Sequence, residues 1–150
     1  MRCAFSVRFM GGMMRRTMDD KQRIEDFLSA GPWGVVGASK DRAKYGNKVL
    51  RCYLQHGREV YAVNPRETEI EGVPSFKSVA ELPAAVRALS IITPPPVSEQ
   101  VVRDAARRGI AKLWMQPGAE SPRAIELARE LGLSLIAGGP CVLVVMGYRE

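Results

Sequence analysis

One pattern constrains this chain more than any other. A glycine closes a helix-like segment, and an apolar strand-like run starts within a residue or two, at Gly57, Gly109 and Gly132. Glycine supplies the left-handed residue that stops a helix. The strand-like runs are Trp33–Ala38, Glu59–Asn64, Ala88–Thr93, Lys112–Gln116 and Leu133–Ala137. Between them lie helix-like segments Asn47–His56, Val97–Arg108 and Arg123–Leu131, each with one apolar face. Ser121-Pro122 marks the start of the last by an N-cap followed by proline. Strands alternating with helices require right-handed βαβ units and a parallel sheet covered on both faces. The expected architecture is α/β: a Rossmann-like three-layer sandwich with a five-stranded, mostly parallel sheet in the order 3-2-1-4-5.

The chain has 150 residues, a length at which one domain buries a single core. No apolar run approaches the roughly 18 residues of a membrane helix. Cys3, Cys52 and Cys141 are odd in number and widely spaced, so neither a disulfide framework nor a metal site is signalled. A reducing cytoplasmic setting is the expectation. Net charge is +6, yet residues 1–18 carry Arg2, Arg8, Arg15 and Arg16 and no acid. The rest of the chain then holds 22 − 4 = 18 basic residues against 16 acidic ones. A basic face for nucleic acid is not evident. Residues 1–18 are read as a disordered basic tail and 19–150 as the domain. Thr17 with Asp20, and Ser78 with Glu81, have capping-box spacing.

In such folds ligands sit beyond the carboxyl ends of the strands. After the first strand comes Gly37-Ala38-Ser39-Lys40, then Tyr45-Gly46-Asn47-Lys48 opening a helix. Glycine and small residues let an anion approach backbone N–H groups at a helix N-terminus. The run lacks the G-x-G-x-x-G spacing of dinucleotide sites and the G-x-x-x-x-G-K-[ST] of a Walker loop. The second strand ends in Asn64-Pro65-Arg66, where an NAD site carries an acid. A cation there suits a phosphorylated ribose, which leaves NADP or coenzyme A (CoA). Lys40, Arg42, Lys44 and Lys48 suit several phosphate charges; any one of them alone is equally an ordinary solvated lysine or arginine.

Five short motifs in order carry a resemblance. Gly37-Ala38-Ser39, Tyr45-Gly46, Val63-Asn64-Pro65, Thr93-Pro94-Pro95 and Trp114-Met115-Gln116-Pro117-Gly118-Ala119 resemble the small stand-alone CoA-binding domain proteins. Those are similar to the N-terminal Rossmann-like domain of the succinyl-CoA synthetase alpha subunit. The resemblance spans Asp20 to Cys141. It implies binding of CoA or acyl-CoA, with Gly37–Lys40 facing the pyrophosphate and Val63–Arg66 lining the adenosine and 3′-phosphate. It implies that Thr93, Pro94 and Pro95 flank the adenine or the pantetheine arm, and that Gln116 to Gly118 meet the thiol end. Gly139-Pro140-Cys141 departs from the family, which has Arg or Asn before the cysteine and proline after it; no role is carried onto Cys141.

No catalytic constellation is evident. The single histidine, His56, stands at a helix end, and Ser39 and Thr93 have no identifiable base. Trp114 and Tyr61 alternate with aliphatic residues and read as core. Glu120 reads as helix-entry charge. The expectation is a non-enzymatic CoA-binding module with no metal, no nucleic acid and no membrane partner. The alternatives are an NADP-dependent oxidoreductase fragment, or a CoA-sensing subunit of a larger ligase. A homodimer suits a domain of this size, though the sequence names no interface.

Overall fold

A computed structural model describes residues 19–150; the reading of 1–18 as a tail, and of Thr17 as a cap, lies outside the described residues. Helix α1 (Asp20–Leu28) starts with a capping box between Asp19 and Gln22. Then come β1 (Trp33–Val36), α2 (Tyr45–Gln55), β2 (Val60–Val63), β3 (Glu69–Ile70) and β4 (Val73–Phe76). A 3-10 turn (Val79–Glu81) leads to β5 (Ala88–Ile91), α3 (Pro95–Arg108), β6 (Lys112–Met115), α4 (Pro122–Glu130), β7 (Ser134–Ile136) and α5 (Val142–Met146). Ser78 precedes the 3-10 turn without a side-chain cap, so that capping box does not form. Gly57, Gly109 and Gly132 all have positive φ after their helices, as the sequence pattern requires.

The strand order corrects the sequence expectation. The sheet has seven strands, in the order β3-β4-β2-β1-β5-β6-β7. The expected third strand, β5, pairs with β1 on the side away from β2. The place beyond β2 belongs to β4. This strand escapes a sequence reading because it contains Pro74, which counts against a strand. It survives because its outer neighbour is only the two-residue β3, paired antiparallel. With β4 counted third among the parallel strands, the doubly wound order of Rossmann folds is recovered.

Alternation along the strands splits the core in two. Trp33 and Val35 of β1 join Ala62, Trp114, Ile136 and the helix residues Phe27, Leu50 and Tyr53. Val36 faces the other way and joins Ile91, Met115, Val101, Val102 and Leu127. Parallel register sets Val36 beside both Val63 and Ile91, and Ile91 beside Met115. The carboxyl ends of four strands are therefore level, and the residues that follow them share one edge.

Candidate functional site

The backbone at that edge is laced together. Gly37 N–H donates to Val63 C=O, Ile92 N–H to Val36 C=O, and Gln116 N–H to Ile91 C=O. Asn64 Nδ2 donates to Ala38 C=O at 2.8 Å while its Oδ1 accepts from Arg66 N–H at 2.8 Å. Asn64 thus ties the loop after β1 to the loop after β2.

Between these loops lies a cleft of about 670 Å³. Gly37, Ala38, Ser39 and Lys40 form one wall, Asn64, Pro65 and Arg66 a second, and Thr93 with Pro94 a third. Tyr45 and Gly46, at the start of α2, line it too. Of the sequence-expected residues, Val63 lines a smaller, mainly apolar cavity of about 230 Å³, which shares Gly37, Asn64, Pro65 and Thr93 with the cleft. Asn47, Lys48, Pro95, Gln116 and Gly118 line neither cavity. Lys48 Nζ pairs with Glu150 at 2.9 Å, and Pro95 is the first residue of α3. Gly118 N–H donates to Glu120 Oε1 at 2.8 Å, and Gly138 N–H donates to Oε2 of the same carboxylate at 3.1 Å.

The floor of the cleft depends on two glycines. Gly37 has a φ of +97°, and a Cβ there would lie 3.0 Å from the Ile92 backbone. A Cβ on Gly46 would lie 2.1 Å from Gly37 C=O. The first turn of α2 therefore approaches the end of β1 as closely as backbone allows, which is what brings its N–H groups to the cleft. α1 and α4 are capped by Asp19 and Ser121. α2 and α3, which start beside the cleft, have Lys44 and Pro94 at N-cap and no side-chain cap. At α2 the N–H groups of Tyr45 and Gly46 are left for another acceptor, whereas α3 opens on Pro94-Pro95-Pro96, which carry no N–H.

The loop itself is braced from beneath. Fully buried Asn47 donates through Nδ2 to Ser39 C=O at 2.8 Å and to Glu71 Oε2 at 3.0 Å. Its Oδ1 accepts from Arg51 Nε at 2.6 Å, and Arg51 Nη2 donates to Arg42 C=O at 2.8 Å. Glu71 also holds the Arg42 guanidinium at 2.7 Å. The Asn47 hydrogen bond, helped by Arg42, holds the Glu71 carboxyl below the usual glutamate range, against the opposing effect of burial. Glu71 and Gly72, both with positive φ, form the two-residue turn of the β3–β4 hairpin. Glu71 carries no sequence signal, because its partners Asn47 and Arg42 are distant in the chain.

The cations divide likewise. Lys40 Nζ pairs with Glu67 at 3.2 Å and Arg42 with Glu71. Among the described residues no carboxylate pairs with Lys44 or Arg66; these two line the cleft together with the paired Lys40 and with the acids Asp41 and Glu67. At the far side of Tyr45, its hydroxyl meets Gln116 Oε1 at 3.0 Å and Cys141 Sγ at 2.6 Å. Burial, with Cys141 adding to it, pushes the Tyr45 phenol well above its ordinary value. Trp114 is fully buried, as expected, whereas Tyr61 is half-buried, donates to Glu59 and packs on Phe76. No helix among the described residues is long and apolar enough to cross a membrane, and no three potential metal ligands gather among them.

Comparison with known proteins agrees with this geometry. The family model described as CoA binding domain matches residues 32–147. The alpha subunit of an ADP-forming acetate–CoA ligase II from Pyrococcus furiosus is 32% identical over 130 residues, covering 79% of this chain and 28% of that one. The chain thus spans less than a third of the length of the curated ligases it matches. Among solved structures, a conserved hypothetical protein from Pyrococcus furiosus is 42% identical with a TM-score of 0.72, over 75% of this chain and 97% of that one. A hypothetical protein from Pyrococcus horikoshii is 27% identical with a TM-score of 0.78, over 85% and 89% of the two chains.

Proposed function

The chain belongs to the CoA binding domain family, and on that premise we propose that it binds coenzyme A, or an acyl-CoA, without chemistry of its own on the acyl group. The observation that carries this reading is the uncapped N-terminus of α2, opening on a cleft lined by Lys44 and Arg66, neither of which has an ion-pair partner among the described residues. The first N–H groups and the dipole of α2 favour a pyrophosphate. Gly37–Lys40 and the first turn of α2 would hold it. Arg66, at the end of β2, would take the ribose 3′-phosphate. The apolar cavity beside Val63, with Asn64 and Thr93 at its mouth, suits the adenine ring, which needs apolar walls and a few polar groups. The residue directly after β2 is Asn64, where NAD sites carry the acid that accepts a ribose 2′-hydroxyl, and Glu67, farther along the same loop, is engaged by Lys40.

The ligase subunit's similarity supports a second reading, in which a domain of this kind presents CoA to a partner that performs acyl transfer. Calorimetric titration with CoA, NAD and NADP tests the first. CoA is expected to bind most tightly of the three; a stronger signal from either nicotinamide nucleotide overturns the reading.

A further inference from the structure

Cys141 stands just past β7, half-buried, as the residue before α5. Its Sγ lies 2.6 Å from the hydroxyl of Tyr45, a residue that lines the cleft. The same hydroxyl meets Gln116 Oε1, which also accepts from Val142 N–H at 2.9 Å. That second bond fixes the orientation of the Gln116 amide, because Val142 N–H requires an acceptor. Gln116 Nε2 is then left fully buried beside this cluster with no partner among the described residues. A buried amide donor without an acceptor is costly; Gln116 lies behind Tyr45 and lines neither cavity, so a ligand arm meets it by moving Tyr45 aside, and an arm carrying amide carbonyls then supplies the acceptor. A pantetheine arm is such a group, and it ends in a thiol.

We propose that Cys141 is a thiol–disulfide exchange site for the ligand's own sulfur: a CoA-containing disulfide, bound by its nucleotide end in the cleft, delivers one CoA onto Cys141 Sγ. This rests on the CoA-binding reading. Cys141 gives up its S–H proton, and the thiolate attacks one sulfur of the ligand's S–S bond. The Sγ–S bond forms as the old S–S bond breaks, and the departing CoA thiolate takes up a proton. One disulfide replaces another, so no further oxidant is needed. Tyr45 serves both states. Toward the thiol its oxygen accepts from S–H while its own O–H points to Gln116. Toward the thiolate the O–H turns and donates to sulfur. Burial keeps the phenol protonated through the cycle. Cys52 offers a contrast: it is buried, and burial pushes its thiol up to about 11, which keeps it unreactive.

The test mixes the full-length protein with CoA disulfide, and separately with glutathione disulfide, and follows intact mass and the modified peptide. Desulfo-CoA, which lacks the thiol, is titrated by calorimetry and added as a competitor. The expected result is a single adduct, of one CoA less two hydrogens, that maps to Cys141. It should form roughly tenfold or more faster with CoA disulfide than with glutathione disulfide, because binding raises the local concentration of the reacting sulfur, and desulfo-CoA should slow it. Desulfo-CoA binding with no adduct at Cys141, or with equal rates for the two disulfides, overturns the exchange site and leaves the CoA reading standing. Absence of desulfo-CoA binding overturns the CoA reading, and this proposal with it.

Discussion

Asn47 Nδ2 and Glu71 Oε2 meet at 3.0 Å although 24 positions separate them in sequence. Through this contact the β3–β4 hairpin, at the edge of the sheet, supports the loop that walls the cleft. Asn47 spends its other amide hydrogen on Ser39 C=O and its oxygen on Arg51. One buried side chain thus fixes the backbone of the loop that walls the cleft, while lining neither cavity itself. A site of this kind is precise only if the groups behind it are held.

Glu71→Gln keeps the shape of that contact and removes its charge. It is expected to lower stability by about 1 kcal/mol, since charged hydrogen bonds contribute about 1.5–3 and partial exposure weakens the ion pair, and to weaken CoA binding. Because the folded-state pKa of Glu71 is lowered, its contribution is complete above the ordinary glutamate range and is lost as pH falls through the lowered value. Melting temperatures of the two proteins should therefore converge on acidification below about pH 4. A gap that stays constant to the acid limit would show that the charge of Glu71 is not what the variant removes.

Gly46→Ala places a Cβ 2.1 Å from Gly37 C=O, and backbone cannot step aside as a flexible side chain does. The first turn of α2 must lift from the end of β1. A loss of about 1–3 kcal/mol, the usual cost of overpacking, is expected in chemical denaturation, along with weaker CoA binding as the helix N–H groups retreat. Unchanged stability would mean that α2 can slide freely. Gly37 is a poorer place for such a test, because its positive φ and its contact with Ile92 make any side chain there disturb fold and cleft together.

What the sequence disclosed was whatever local pattern encodes. The strands β1, β2, β5, β6 and β7 are near-continuous apolar runs, and the glycines after α2, α3 and α4 sit at left-handed positions. The loops after β1, β2 and β5 follow from topology once those strands are known, and they do line the cleft. The hairpin did not show itself, because β3 has two residues and β4 contains Pro74. Missing it misplaced the third strand. The charge pattern suggested four phosphate-facing cations, yet Lys40, Arg42 and Lys48 are engaged by Glu67, Glu71 and Glu150. Those partners lie far off in the chain, and no local rule reports them. The same holds for Tyr45 with Cys141, 96 positions apart.

Arg66 offers the sharpest test of which nucleotide the cleft takes. Its backbone is anchored, since Arg66 N–H donates to Asn64 Oδ1 at 2.8 Å, while its exposed side chain has no carboxylate partner among the described residues. The cleft's other cations differ in this respect: Lys40 is engaged by Glu67, and Lys44 stands at the α2 N-cap, nearer the expected pyrophosphate. If Arg66 meets the ribose 3′-phosphate, Arg66→Ala should weaken CoA binding by about 1.5 kcal/mol, the lower end for a hydrogen bond to a charged group because the site is open to solvent. That is a loss of roughly tenfold in affinity. Dephospho-CoA lacks the 3′-phosphate, so its affinity for the two proteins should agree. The measurement is a cycle of two proteins and two ligands by calorimetry, repeated at higher salt, where the CoA difference should shrink as the charges are screened. Equal losses for both ligands would place Arg66 at the pyrophosphate instead, and no loss for either would remove it from the site.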